Sequence, residues 1–134
     1  MKAYVCSIGE RTTKICCEEL EKYGFEVVLL DKKEPWLDKY KSFIFNTDED
    51  CLRIDADTIV NKNIKKIQFD LGFYPREHNL MIQYHGYDLY KNDIGIVSPI
   101  FYRKEALKII REHWEELGDK TRPEASAWRL EALK

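Results

Sequence analysis

The stretch Cys51-Leu52-Arg53-Ile54-Asp55-Ala56-Asp57-Thr58-Ile59-Val60 decides how the chain is read. It opens as a β-prone run, is broken by two aspartates one residue apart, and gives way to the polar Asn61-Lys62-Asn63. Read as one strand, it turns Asp55 and Asp57 to the same side, because side chains alternate at period two and residues i and i+2 lie roughly 6.5 to 7 Å apart. The polar residues after Val60 set Asp57 near the strand's C-terminal end, facing the crevice where open α/β sheets bind ligands. A divalent cation and a diphosphate suit such a pair. Spacing alone carries little weight, since the chain has ten aspartates and Asp48-Glu49-Asp50 repeats the pattern in a polar segment. Asp55 and Asp57 differ in interrupting an apolar run, where a bare carboxylate is costly without a partner. The structural alternative is a pair of strand-end acids, with Asp55 held by Arg53 on the same face.

At 134 residues the chain fits a single domain, 1–134, long enough to bury a real core. Its 44% hydrophobic and 34% charged residues place it among globular proteins, and a net charge of −2 gives no overall electrostatic case for nucleic acid or an anionic membrane. Only a local basic patch stays open. The apolar run within Met1–Gly9 is too short for a signal peptide or a spanning helix, so no membrane insertion is expected. Cys6, Cys16, Cys17 and Cys51 form no Cys-x-x-Cys pair and read as reduced, mostly buried thiols of a cytoplasmic protein.

Residues 3–8 read as a strand, Gly9 to Thr13 as a loop, and the residues from Lys14 as a helix with Cys16, Leu20 and Tyr23 on its apolar stripe. Thr12 or Thr13 can cap that helix and Gly24 can stop it. Val27-Val28-Leu29-Leu30 is unbroken apolar sequence, which predicts a parallel strand covered on both faces. Asp31 ends it, at the same edge as Asp57. The spacing Leu37, Tyr40, Ile44 predicts a helix, and Asn63 to Ile67 a short helical turn. Gln68-Phe69-Asp70-Leu71 reads as a further strand. Leu80 to Tyr84 and Ile94 to Val97 read as two more, with a hairpin around Lys91-Asn92-Asp93. Arg103 to Leu117 is the clearest helix, and Ala125 to Lys134 a short helix-like end.

With three strand ends facing one crevice and an acidic pair on the third, the chain resembles a glycosyltransferase of the GT-A fold, in the nucleotide-diphospho-sugar transferase superfamily. Leu52 to Val60 with Asn63-Ile64 is similar to the Asp-x-Asp region of glycogenin-like and galactosyltransferase-like enzymes. Ile96 to Leu107 is similar to the strand and helix these enzymes place beside the acceptor. The resemblance implies an α/β fold: one Rossmann-like GT-A domain, a mostly parallel central sheet flanked by helices, and an abbreviated acceptor region, which a second subunit of a homodimer could complete. It implies a nucleotide-sugar donor, UDP-linked above others, and a hydroxyl acceptor. Asp57 would bind Mn²⁺ or Mg²⁺ on the donor diphosphate, and Asp55 would hold the ribose or a metal-bound water. Ser7, Gly9 and Arg11 would lie near the nucleoside, Asp31 would face the base, and His85 could complete the metal shell. Glu124 and Asp119, the late acids in a loop, are the candidates for general base. A hard cation prefers oxygen ligands and keeps waters and phosphates, so one or two carboxylates suffice.

Two other readings compete. A haloacid-dehalogenase-like phosphatase also uses Asp-x-Asp at a strand end and would take Asp55 as nucleophile and Asp57 as acid. Against it, Ile59 stands where that motif expects Thr or Val, the motif normally opens the chain, and no later acidic pair for Mg²⁺ is evident. The third reading is a non-catalytic nucleotide-binding domain.

Overall fold

The computed structural model describes residues 1–31, 36–88 and 92–117, with backbone only at residues 36, 78, 85–88 and 93–98. The elements are β1 (Lys2–Ser7), α1 (Thr13–Lys22), β2 (Glu26–Asp31), α2 (Trp36–Asn46), β3 (Cys51–Asp55), α3 (Lys66–Phe73), β4 (Met81–Asp88), β5 (Asp93–Tyr102) and α4 (Lys104–Glu112). Short 3₁₀ turns occupy Lys62–Lys65, Arg76–His78 and Trp114–Glu116. The strands form one sheet in the order β2-β1-β3-β5-β4.

β1 pairs in parallel with β2 and β3, whereas β5 is antiparallel to both β3 and β4. The α/β class is as expected, but the sheet is mixed rather than mostly parallel. The cause is local: β4 and β5 are consecutive strands joined as a hairpin, a connection that permits only antiparallel pairing. Asn92, at the expected turn, takes a left-handed φ of 52°, a conformation asparagine tolerates better than most residues.

Two apolar layers cover the sheet. Odd residues of β1 and even residues of β3, such as Val5, Leu52 and Ile54, pack with Phe101 beneath Cys16 and Leu20 of α1 and Ile64 and Ile67 around α3. On the opposite face, Tyr4, Cys51, Ile100 and Tyr102 pack beneath Tyr40, Phe43 and Ile44 of α2 and Leu107 and Ile110 of α4. β1 is buried almost throughout because it has a strand on each side and a helix on each face.

The helix expected over Arg103 to Leu117 ends at Glu112 and gives way to the 3₁₀ turn Trp114–Glu116, and three other sequence readings need correction. The segment Gln68-Phe69-Asp70-Leu71 lies in α3, not in a strand. Ile64, Ile67 and Leu71 reach the core at steps of three and four, a helical period that a four-residue window cannot reveal. β2 is parallel as expected but is the edge strand, with Leu29 54% exposed, so its apolar run is not covered on both faces. β3 ends at Asp55 instead of running on toward Val60.

α1 ends as its glycine predicts. Gly24 adopts φ +89°, its amide reaches Glu21 O (3.0 Å) and the Phe25 amide reaches Leu20 O (3.0 Å). This is the Schellman arrangement, closed by burial of Phe25 and Leu20 in one cluster.

The four cysteines are free thiols, three buried and Cys17 partly exposed. Burial pushes the Cys16 and Cys51 thiols up to about 12, and raises Cys17 less strongly. A thiol reacts as its thiolate. In native protein at neutral pH, a disulfide reagent is therefore expected to label Cys17 slowly and the other three only after urea unfolding. Fast labelling of two or more thiols without denaturant would contradict this packing.

Candidate functional site

The carboxyl ends of β1, β2 and β3 lie side by side. In register, Ser7 stands beside Asp31 and Cys6 beside Asp55. α1, which leads from β1 to β2, and α2, which leads from β2 to β3, cover opposite faces. Strand order therefore reverses between β1 and β3, the place where open α/β sheets leave a crevice.

After Asp55 the chain turns at Ala56-Asp57, with the Thr58 amide on Asp55 O at 3.0 Å. The turn is fastened to the β1–α1 loop from two sides. The Ala56 amide donates to Cys6 O (2.9 Å), extending the β1–β3 pairing by one bond, and Thr12 Oγ1 donates to Ala56 O (2.7 Å). Thr12 holds the N-cap position of α1, but its hydroxyl makes no capping bond because it is committed to the acid turn.

The loop is held by its own side chains. Ser7 Oγ donates to Glu10 Oε2 (2.6 Å), lies 2.7 Å from Thr13 Oγ1 and accepts from the Gly9 amide (3.0 Å). Glu10 Oε2 also accepts from the Ile8 amide at 2.8 Å. Gly9 has φ +96°, so a side chain there would be strained. Glu10 is the residue the sequence reading missed; its position three after Ser7 and three before Thr13 was the available signal. Arg11 is exposed and makes no hydrogen bond or ion pair with the described residues.

Asp55 faces the α2 side and lies 3.5 Å from Arg53 Nη2. Arg53 is itself largely buried, with its guanidinium 5.6 Å from the Tyr40 ring centre. Asp57 is exposed and has no hydrogen bond or ion pair among the described residues. Since the strand stops at Asp55, the turn and not the pleat orients Asp57. Both carboxylates lie close enough to the buried Cys16 thiol to add to the upward push that burial gives it. Asp31 is 4.0 Å from Lys39 Nζ.

The structure thus assembles Ser7, Gly9, Arg11, Asp31, Asp55 and Asp57 along one edge of the sheet. His85 is a β4 residue in register with Ile96, but its side chain lies outside the described residues, as do Asp119 and Glu124 entirely. Among the described residues no three His, Cys, Asp or Glu side chains cluster as a ready-made metal shell. An oxygen-preferring cation that retains waters and phosphates needs no such cluster. A shallow cleft of ≈ 300 Å³ lies elsewhere, between α2 and the β1–β2 face, lined by Tyr4, Leu30 and Phe43 among others. No described helix is long and apolar enough to cross a membrane.

No family model matches the chain, and no curated protein matches it. Among solved structures, A197 from STIV superposes with a TM-score of 0.54 at 13% identity, over 81% of this chain and 68% of that one. At that identity the likeness is one of fold alone.

Proposed function

We propose that the chain is a metal-dependent glycosyltransferase of the GT-A type, moving a sugar from a nucleotide diphosphate, UDP above others, to a hydroxyl acceptor. The observation that carries the reading is the acid turn Asp55-Ala56-Asp57, fastened by Thr12 to the β1–α1 loop at the reversal of strand order. Asp57, exposed and without an ion pair among the described residues, offers an oxygen ligand for Mn²⁺ or Mg²⁺. Asp55, two-thirds buried and 3.5 Å from Arg53 Nη2, would hold a ribose hydroxyl or a metal-bound water. Ser7, Gly9 and Arg11 would lie near the nucleoside, and Asp31 would face the base. When bound, the cation would neutralise the departing diphosphate as a Lewis acid. Asp119 or Glu124 would take the acceptor proton, and His85 would complete the metal shell.

Thermal denaturation with UDP and Mn²⁺, against Mn²⁺ alone, tests the reading. A ligand at 100 times its Kd stabilises the folded state by about 2.7 kcal/mol, a Tm rise of several degrees. Asp57→Ala is expected to abolish that rise while leaving the unliganded Tm nearly unchanged, as befits an exposed turn residue. Release of UDP from a panel of UDP-sugars then separates a transferase from a binding domain without turnover. An unshifted wild type, or an Asp57→Ala variant that responds like wild type, would remove the acid turn from any nucleotide site.

A further inference from the structure

We propose that the outer face of α3 docks the protein onto an anionic lipid surface. The helix buries Ile67 and, with the preceding turn, Ile64, yet its opposite side is not the polar face a surface helix normally shows. Phe69 and Phe73 are 70% and 74% exposed, one helical turn apart, with ring centres 6.0 Å from each other. Lys66 continues the same stripe three residues before Phe69, and Lys62 and Lys65 of the preceding 3₁₀ turn are exposed as well. Ile59, 67% exposed, adds a further apolar group just ahead of the turn.

Charge chooses the occupant. From Thr58 to Phe69 the chain carries three lysines and no acid, although the protein as a whole is net −2. Lys22, at the end of α1, extends the basic area: its Nζ and that of Lys65 lie 5.5 and 5.6 Å from the Tyr23 ring centre. Lys22 is itself within 3.4 Å of Glu19 and Asp70 sits beside the stripe, so the lysines of residues 62–66 carry the attraction. Aromatic rings that enter the headgroup boundary, with lysines on their N-terminal side, match the chemistry of a surface that meets an anionic bilayer.

The test is co-sedimentation of the full chain with vesicles of phosphatidylcholine and phosphatidylserine, against phosphatidylcholine alone. Binding is expected to the mixed vesicles, to weaken with added salt, and to fall about tenfold or more in Phe69→Ala/Phe73→Ala. Lys62→Ala/Lys66→Ala should lower it about 25-fold, since each lysine near such a surface contributes about fivefold. Unchanged Tm in both variants shows that the fold survives. Equal binding to both vesicle types, no binding, or binding indifferent to the Phe pair overturns the proposal. So does a wild type that is dimeric in sedimentation velocity, ignores vesicles, and becomes monomeric in the Phe variant.

Discussion

Phe101→Ala is expected to lower the free energy of unfolding by about 3–5 kcal/mol, a large part of what a domain of this size has to spare. Phe101 is wholly buried on β5, in register with Leu52 of β3 on one side and Ile82 of β4 on the other. It belongs to the layer beneath α1 and α3, which also holds Val5 and Ile54. Truncation therefore leaves a cavity between the sheet and the helices that cover it, which cannot close without moving one against the other. A urea titration followed by circular dichroism measures the loss. A change below about 1 kcal/mol would mean that the site collapses or that Phe101 is not central to the core.

The second large effect concerns Asp50, just ahead of β3. Its carboxylate accepts from Arg76 through both oxygens, from Arg103 Nη1 (3.4 Å) and from the Lys104 amide (3.0 Å) at the start of α4. Arg76 also pairs with Glu105, and Arg103 donates to Leu71 O (3.1 Å) and Tyr74 O (3.3 Å), joining α3 to the cluster. The Arg103 side chain is only 6% exposed, so removing Asp50 strands a buried guanidinium and uncaps α4. Breaking a buried pair costs roughly 3–5 kcal/mol; with Asp50 itself 21% exposed, Asp50→Ala is expected to cost about 2–3 kcal/mol.

Acid supplies the sign of this interaction. Burial alone would raise the Asp50 carboxyl, but hydrogen bonds from Arg76 and the Lys104 amide, with the guanidinium charges, hold it below the ordinary carboxylate range. A carboxyl depressed by folding stabilises the native state above its unfolded value of about 4, and that contribution disappears as pH falls through the lower folded value. The gap in urea midpoint between wild type and Asp50→Ala should be widest at neutral pH and shrink below about pH 4. A gap independent of pH would assign the loss to packing. Arg103 also lies with its guanidinium 5.2 Å from the Phe101 ring centre, so the two substitutions share a partner. Their combined effect should differ from the sum by about 0.5 kcal/mol or more.

The local signals were legible where one residue type has one physical use. Gly24 marks the end of α1 because its positive φ suits glycine, and Leu107 and Ile110 mark α4 because helical spacing buries them together. β1, β3 and the Asp55–Arg53 neighbourhood followed from alternation along the strand. α3 misled because the chain is apolar on both its sides: Phe69 and Phe73 break the one-sided pattern from which helices are recognised. Asp50 misled because a carboxylate in a polar run looks solvated, whereas its partners lie 26 and more residues away in the chain.

Composition and periodicity alone were enough for the α/β class, for the existence of five strands and of α1, α2 and α4, and for the two acids that follow Ile54. These properties depend on residues within a turn or two of each other. Which strand became the edge, which pairings reversed, and how Thr12 came to hold the acid turn against the first loop depended on contacts between distant segments. Such contacts are set by the fit of whole layers, and no local run of residues encodes them.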